Sequence, residues 1–582
     1  MHIDRKGQNS LALQLGFVII LATLLLTLNS MPQDDTWRHL ALGRLFFEHG
    51  GLPKTEPFGF LNAGRPFIDL SWLSCVSFYA IYQLFSDTGL IVFSSFMAGL
   101  IFYLSLTFGS PLPSKKSGLS IGFSASAWAA LLILTSLLTS AFKFRITARP
   151  ELFGLCGFAF ALHLLKDAKT KSFISFFLLI VVWNNFHSTA VMGVQLAIGY
   201  AALRYFLGIE EWKNSLVFVI VGCVALFVNP WGIHLVRTEL FEPFHPHNQN
   251  IREFRPFTLV QWLPVRLPLL LFSAVSIFRQ CWRGKVFICN AIIFALLTLL
   301  SLKFSRAFTY PLLFAAGASW TTLTDLMQWL DSKTHSPLMI QAAITISTIV
   351  TCFSININDS YGLNYRKTDN MLATEYLENL GFKGRILNDF AQGGYLIWRQ
   401  PKNFSIFIDN RPPAYHETSI PVYANLQNSS YCQSIVSKLR IDAILMPTPQ
   451  LCNTSGIEAL LCNDFTGCIN RSDFAVIFWT KAVFLAIQRN NHSADFIRDH
   501  EYHWINPLEM DIRKIALEME QTLKLSDGYQ NMGAELNRAM AENPENSKAI
   551  LLRDILDALV GKKVLPSMHT DLFYEDVGAS GY

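Results

Sequence analysis

Two adjacent carboxylates, Asp34 and Asp35, directly follow the first long hydrophobic run of the chain. An ionised carboxylate can accept a proton from a hydroxyl group or bind a divalent cation. His39 lies one helical turn after Asp35, where it could orient that carboxylate or contact a substrate. The alternative is purely structural: both aspartates cap a helix, and Arg38 is the ion-pair partner four residues after Asp34.

Three groups of basic residues lie at the ends of predicted membrane spans, on the side where membrane proteins usually carry little positive charge. Cations near the headgroup level could bind an anionic phosphate or pyrophosphate. The alternative is that these long side chains only extend toward lipid headgroups. The residues are Lys143, Arg145, Arg149, Arg252, Arg255, Lys303 and Arg306.

Membrane-spanning helices are predicted to position these residues. Hydrophobic residues make up 51% of the 582 residues and charged residues only 15%, whereas a soluble protein has roughly 25% charged residues. Apolar runs long enough to cross a bilayer stop at residue 356, so we expect about 11 spans before it. The fold class is therefore a polytopic α-helical membrane domain (1–356), a small extracytoplasmic α/β domain (357–490) and a helical C-terminal segment (491–582). The predicted spans are 11–30, 88–108, 121–142, 151–165, 172–186, 190–207, 215–230, 263–278, 286–302, 307–323 and 337–356.

Lysine and arginine residues in the loops indicate the orientation. If the short apolar segment 72–86 lies in the interface instead of crossing, most basic loops fall on the cytoplasmic side. The N-terminus is then cytoplasmic. The loops 31–87 and 231–262 and the C-terminal domain are extracytoplasmic. The net charge of +4 is ordinary for a membrane protein and indicates no nucleic-acid partner.

The first outer loop, DDTWRHLALGRLFFEHGGLPKTEPFGFLNAGRPFIDLSWL, resembles that of the bacterial membrane glycosyltransferases of the GT-C superfamily. Three further segments are similar to that family, ARPELF (148–153), WNNFHSTAVMG (183–193) and NPWG (229–232). The soluble segments GRILNDFAQGGYLIW and IFIDNRPPAY resemble the extracytoplasmic domain attached to many of these proteins. The loop residues that match are Asp35, Trp37, His39, Leu40, Gly43, Gly50, Pro53, Pro57, Phe58, Gly64, Pro66, Trp72 and Leu73.

The resemblance implies a hexosyltransferase-type enzyme in the bacterial inner membrane that acts in the cell envelope. It would transfer a sugar from a polyprenyl-phosphate carrier to an envelope glycan, lipid or protein acceptor, in contact with membrane lipid. Asp35 is the expected general base and Asp34 the second choice. The residues expected to bind substrate are His39, Glu56, Arg145, Arg149, His187, Arg252, Arg255, Lys303 and Arg306.

Other interpretations stay open at this point. A polytopic transporter or flippase of lipid-linked glycans usually has ionisable residues inside its spans, whereas here they lie at the span ends. A non-catalytic scaffold that binds glycan through its outer domain is a second alternative. No cofactor is certain. A divalent cation, Mg²⁺ or Mn²⁺, is possible on Asp34, Asp35 and Glu56, although no spacing establishes such a site. His245 and His247 flank a proline and are more typical of a solvated loop than of a zinc site.

The soluble part contains short predicted strands in RILN, SIFIDN and DAILMP, two more strands in 473–488, and helices at 368–380 and 429–440. Asp409, Arg411 and Tyr415 are expected either to brace a loop internally or to contact a glycan. Residues 508–560 are predicted to be helical, and the run LSDGYQNMGAELNRAMAENPENSKAILLRDIL within them is similar to a tetratricopeptide-like helix pair. The disulfide candidates, which allow three full pairings, are Cys432, Cys452, Cys462 and Cys468.

Overall fold

In the computed structural model the chain forms two compact units. The first comprises Met1–Lys54 and Pro66–Arg366, and the second comprises Thr55–Arg65 and Lys367–Tyr582. The structure describes residues 5–27, 34–109, 124–250, 255–258, 265–333, 341–342, 344–350, 367–399, 403–448, 465–509 and 512–562.

The secondary-structure elements of the first unit, in its described residues, are helices joined by turns and loops. Its buried core consists of leucine, alanine and phenylalanine side chains contributed by most of the helices. The helices are α1 (Arg5–Thr27), α2 (Asp34–His49), α3 (Trp72–Thr107), α4 (Ala125–Phe142), α5 (Glu151–Lys166), α6 (Phe173–Phe186), α7 (Ala190–Phe206), α8 (Trp212–Leu226), α9 (Ile233–Phe241), α10 (Arg266–Gln280), α11 (Lys285–Lys303) and α12 (Thr309–Lys333).

Three of the described helices, α3, α4 and α11, are long and apolar enough to cross a membrane. At 1.5 Å per residue, roughly 20 residues span the hydrocarbon core. This supports the predicted membrane location. Shorter apolar helices include α6, α7 and α8, which coincide with predicted spans. The total of about 11 spans stays a prediction.

Helix α3 joins two segments that the sequence analysis separates, 72–86 and 88–108. Ser86 lies between them with φ 52° and ψ −154°, outside the helical region. This interruption falls where the prediction divides an interfacial segment from a true span. Whether residues 72–85 lie in the interface stays a prediction.

The second unit contains a five-stranded mixed sheet with strand order β2-β1-β3-β5-β4. Ile386 of β1 pairs in parallel with Ile406 of β2 and Ala443 of β3, and β5 is antiparallel to both β3 and β4. The predicted small α/β domain is therefore confirmed as a mixed sheet with helices. Its strands are β1 (Gly384–Asn388), β2 (Phe404–Ile406), β3 (Ala443–Pro447), β4 (Phe474–Trp479) and β5 (Val483–Gln488).

The helices of the second unit agree with the amphipathic segments in the sequence. The predicted helices 368–380 and 429–440 correspond to α13 and α17. Three C-terminal helices share the buried core of this unit, and their tetratricopeptide-like character stays a prediction. The helices are α13 (Asp369–Asn379), α14 (Gly393–Arg399), α15 (Pro412–Tyr415), α16 (Ser419–Tyr423), α17 (Ser429–Leu439), α18 (Ala494–His500), α19 (Ile512–Thr522), α20 (Gly528–Glu542) and α21 (Ser547–Leu559).

Two of the four candidate cysteines form a disulfide bond, Cys432 with Cys468. The bond joins α17 to the segment before β4. Cys452 and Cys462 lie outside the described residues.

The segment Thr55–Arg65, part of the first predicted outer loop, belongs to the second unit. The backbone N–H of Phe60 donates to the carbonyl of Ile406 at 3.2 Å. The Asn62 side-chain amide donates to the carbonyl of Ala414 at 2.6 Å. The segment therefore extends the edge of the sheet beside β2.

Candidate functional site

Asp35 lies in the first turn of α2, and its carboxylate forms an ion pair with Arg149. A second guanidinium, that of Arg38, lies 3.9 Å from the other carboxylate oxygen. The hydroxyl of Thr36 donates to the carbonyl of Ala148 at 3.3 Å, which holds the start of α2 against the segment before α5. The predicted base and one predicted phosphate ligand are thus in direct contact. Helix α2 begins at Asp34, whose side chain is outside the described part of the structure.

Arg145 forms a two-point ion pair with Glu151, at 2.7 and 3.0 Å. Glu151 is the first residue of α5, directly after Pro150, and is almost fully buried. A carboxylate in the first turn also interacts favourably with the helix dipole. Arg145 is therefore paired with a carboxylate that the sequence analysis does not single out.

His187 occupies the turn between α6 and α7 and is buried. Its Nδ1 accepts the backbone N–H of Thr189 at 3.2 Å and lies 2.7 Å from the Thr189 hydroxyl. Burial, and then the positive charges of Arg306 and Arg149, lower the pKa of His187 to about 3. The ring is therefore neutral. Because Nδ1 accepts, the proton is on Nε2, where it can donate to an anion or a sugar hydroxyl.

Arg306 lies in the short turn Ser305–Phe308 that precedes α12. It is close enough to affect the electrostatic environment of both His187 and Tyr310. Tyr310 is buried, interacts with Glu151 and Arg145 electrostatically, and hydrogen-bonds with Thr189. Four separate parts of the sequence therefore meet in one place. We call this set the Asp35 cluster: Asp35, Arg145, Arg149, Glu151, His187, Arg306 and Tyr310.

Close packing of the helices holds the cluster in position. A Cβ atom at Gly154 of α5 would come within 2.5 Å of the Thr189 hydroxyl and 2.8 Å of His187 Nδ1. The first turn of α3 holds the end of α6 through two bonds. Trp72 donates to Asn185 at 2.9 Å, and Ser74 donates to the carbonyl of Phe186 at 2.7 Å.

His39 faces α3 and is 2% exposed. Its Nε2 lies 3.0 Å from an Arg38 nitrogen, which can only donate, and its Nδ1 lies 3.2 Å from Cys75 Sγ. Cys75 in turn donates to Asp69 at 3.5 Å. The four side chains form a hydrogen-bonded chain from the Asp69 carboxylate to the Arg38 guanidinium beside Asp35. His39 therefore contacts Arg38, and its expected role, to orient Asp35 or to contact a substrate, stays a prediction.

The other predicted site residues lie elsewhere. The Lys303 ammonium lies 5.3 Å from the ring centre of Phe304. The carbonyl of Arg255 accepts from the Ser305 backbone, which places that residue next to the Arg306 turn. His245 and His247 lie together in the first unit, with ring centres 5.1 Å apart. Arg252 is outside the described residues.

Glu56 belongs to the second unit and is buried there. It accepts two hydrogen bonds from Arg411, at 2.7 and 3.0 Å, and Arg411 also pairs with Asp409. The Tyr415 hydroxyl donates to Asp409 at 2.9 Å. These four residues form an internal network, as the bracing interpretation of Asp409, Arg411 and Tyr415 predicts. The same network occupies the Glu56 carboxylate that was expected to bind substrate.

Sequence reasoning missed Glu151, Tyr310, Cys75 and Asp69. Glu151 lies inside the quoted segment ARPELF, so its position beside Arg149 was a usable signal. Cys75 and Tyr310 are single residues in apolar helices, and no local pattern distinguishes them from core residues.

The carboxylates of Asp35, Glu151 and Glu56 do not suit a divalent cation, which needs several uncommitted oxygen ligands. Asp35 pairs with Arg149, Glu151 with Arg145, and Glu56 with Arg411. We therefore derive no step through a metal.

No protein-family model and no curated protein matches the chain. Among solved structures, the chain is similar to the archaeal oligosaccharyltransferase AglB from Archaeoglobus fulgidus in complex with an inhibitory peptide and a dolichol-phosphate. The identity is 12%, over 75% of this chain and 69% of that one, with a TM-score of 0.44. It is also similar to ArnT from Cupriavidus metallidurans bound to undecaprenyl phosphate, with 11% identity over 83% of this chain and 98% of that one and a TM-score of 0.46.

Proposed function

We propose that this chain is a membrane glycosyltransferase that transfers a sugar from a polyprenyl-phosphate carrier to an acceptor hydroxyl on the extracytoplasmic face. The observation that supports it is the Asp35 cluster, in which a candidate base, three arginines and a neutral histidine converge.

In the proposed reaction, the acceptor oxygen forms a bond to the anomeric carbon of the sugar. The bond between that carbon and the phosphate oxygen breaks, and the phosphate retains the electron pair. Asp35 takes the proton of the acceptor hydroxyl. Arg149 and Arg306 stabilise the leaving phosphate, whose negative charge increases as the bond breaks. His187 can donate from Nε2 to the phosphate or to a sugar hydroxyl.

The chemistry needs no strong general acid, because a phosphate leaves as a stable anion. The role of Asp34 as second choice for the base remains part of the proposal. The acceptor is an envelope glycan, lipid or protein, and the membrane in question is the bacterial inner membrane. Transport is less well supported, because α4 and α6 contain no charged residue and α11 has charges only at its ends.

Separate replacement of Asp35 and Asp34 by Asn tests this proposal. Loss of a general base lowers the rate about 10²–10⁴-fold, so we expect Asp35→Asn to remove the glycosylated product and Asp34→Asn to have a smaller effect. Mass spectrometry of lipid-linked sugars and envelope glycans measures both. Asp325→Asn is the matched control, since Asp325 lies in a half-exposed ion pair with Arg279 outside the cluster. If normally expressed Asp35→Asn protein gave an unchanged amount of glycosylated product, this would contradict the proposed enzyme function and favour a non-catalytic scaffold.

A further inference from the structure

The ion pair between Asp35 and Arg149 conflicts with the simplest form of base catalysis. Asp35 is 14% exposed and Arg149 is 22% exposed, so water screens the pair poorly. Arg38 approaches the second oxygen at 3.9 Å. A carboxylate held between two guanidinium groups accepts a proton only after at least one of these pairs is broken. In this arrangement Asp35 is therefore not ready to act.

Arg149 has a matching requirement. A largely buried guanidinium without an anionic partner is costly, by several kcal/mol in general. Arg145, the nearest arginine along the chain, is already neutralised by Glu151 at 2.7 Å. Asp35 is the carboxylate that pairs with Arg149 when no other anion is bound.

A donor phosphate offers Arg149 a better partner than Asp35 does. Guanidinium groups bind phosphate oxygens through two parallel hydrogen bonds, and the phosphate gains negative charge as the sugar leaves. Arg306 also lies near His187, so it would add a second positive charge beside a phosphate bound to Arg149. Exchange of one anion for the other would leave Arg149 paired and Asp35 released.

We infer that Asp35 is a resident anion that occupies the place of the donor phosphate on Arg149, and that donor binding releases Asp35 to act as the base. The inference rests on the proposed function, since it takes the donor to be a polyprenyl phosphate. It implies an obligatory order in which the donor binds first. The acceptor hydroxyl is then deprotonated only when a sugar is present to receive it.

Equilibrium binding of undecaprenyl phosphate to the full-length protein in phosphatidylcholine nanodiscs tests the exchange. Asp35→Asn removes the competing anion, so this variant should bind undecaprenyl phosphate at least about tenfold more tightly than the wild type. Arg149→Gln should bind it at least about tenfold more weakly. The double variant should resemble Arg149→Gln, because without Arg149 there is no cation for which the two anions compete. Asp325→Asn, which makes the same charge change elsewhere, should bind like the wild type.

The results separate this inference from the proposed function. Unchanged or weaker binding by Asp35→Asn, together with weaker binding by Arg149→Gln, would overturn the exchange and leave the phosphate site standing. If neither the wild type nor any variant bound undecaprenyl phosphate, this would overturn both the exchange and the proposal that the donor is a polyprenyl phosphate. Nanodiscs containing phosphatidylglycerol provide a second arm. If Asp35→Asn increased the affinity for phosphatidylglycerol as much as the affinity for undecaprenyl phosphate, the effect would be a general one of charge. This result would also overturn the exchange.

Hydrogen–deuterium exchange on the wild-type protein makes the test independent of variant folding. Saturating undecaprenyl phosphate should increase exchange at the backbone amides of residues 35–39, because Asp35 loses its partner. It should decrease exchange at residues 148–153, because Arg149 exchanges Asp35 for a phosphate that it binds more strongly. Saturation with no increase at residues 35–39 would overturn the inference.

Discussion

At the scale of single residues, the chemistry of this protein depends on which partner each charged or polar side chain has. Asp35 and Glu151 pair with different arginines, and His187 is kept neutral by burial beside Arg306. His39 lies one helical turn after Asp35, and its ring contacts Arg38, which in turn lies beside Asp35. The other ring nitrogen of His39 contacts the Cys75 sulfur, and no sequence motif around Cys75 predicts this contact.

Replacement of Cys75 tests the chain from Asp69 to Arg38. Cys75→Ala leaves the buried Nδ1–H of His39 without an acceptor, which costs about 1–3 kcal/mol. Cys75→Ser keeps an acceptor and should recover most of that stability and of the glycosylated product. Thermal unfolding and product yield measure the two effects. Equal behaviour of the alanine and serine variants would contradict a hydrogen-bonding role for Cys75.

Glu542 of α20 predicts a pH dependence in the second unit. Burial raises the pKa of Glu542 to about 6, opposed by its hydrogen bond from Tyr502 and by the charge of Arg538. A folded-state pKa above the unfolded value of about 4.3 favours the protonated form in the folded state. The contribution of Glu542 to the free energy of unfolding is therefore fully present below about pH 4.3 and is lost as the pH rises through 6, by about 2 kcal/mol.

Glu542→Gln removes this titration while keeping a similar shape. Backbone amides of Gly528–Glu542 in the wild type should become less protected relative to the variant between pH 4.5 and 7. Hydrogen exchange of both proteins at the same pH measures the difference, since intrinsic exchange rates cancel. A constant difference across this range would show that Glu542 titrates normally.

At the scale of elements, the position of Asp35 depends on how closely α2 packs against α3. A Cβ atom at Gly43 would lie 2.2 Å from the carbonyl oxygen of Cys75 and 2.6 Å from Tyr79 Cβ. Backbone cannot yield at such a distance, so any side chain at this position must displace α2. Gly43 is among the residues that match the GT-C resemblance, and this close approach gives its physical reason.

Gly43→Ala should therefore destabilise the protein by about 1–3 kcal/mol, as other overpacked sites do, and should lower product formation by moving Asp35. Gly199→Ala is the matched control, because Gly199 lies in helix α7 with nothing within 4 Å of its Cβ position. That control should be neutral or stabilised by up to about 1 kcal/mol. Thermal unfolding and product yield measure the effect of each variant. If Gly43→Ala changed neither the stability nor the product yield, α2 would tolerate displacement.

At the scale of the whole molecule, the chain leaves its first unit after Lys54, contributes Thr55–Arg65 to the second unit, and returns at Pro66. Within the second unit this segment is secured by the buried pair of Glu56 and Arg411. Removing one partner from a buried pair costs more than removing both, because a lone buried charge remains.

Arg411→Met should thus destabilise the second unit by about 3–5 kcal/mol, and adding Glu56→Gln should restore part of it. Arg65→Met is the control, since the pair of Arg65 and Glu417 is exposed and is worth less than about 1 kcal/mol. Urea unfolding of the full chain measures all three variants. A double variant no more stable than Arg411→Met alone would indicate that Glu56 does not depend on Arg411.

Local patterns in the sequence were sufficient to predict a mostly helical, apolar first part and a small α/β unit after it, whereas the contact of Asp35 with Arg149 was not predicted. Apolar runs and strand alternation depend on neighbours a few residues apart, so they can be read along the chain. Phosphate binding by the predicted cations stays a prediction; the structure shows that Lys303 lies near an aromatic ring and that Arg145 pairs with Glu151.

Tertiary structure alone decided which charges are paired. The partners of Glu56 and His39 are Arg411 and Cys75, which lie 355 and 36 positions away in the chain. No local pattern encodes contacts at such separations, since they arise only when helices and strands pack. The sequence therefore determined which chemical groups were available, and folding determined which of them remain free to act.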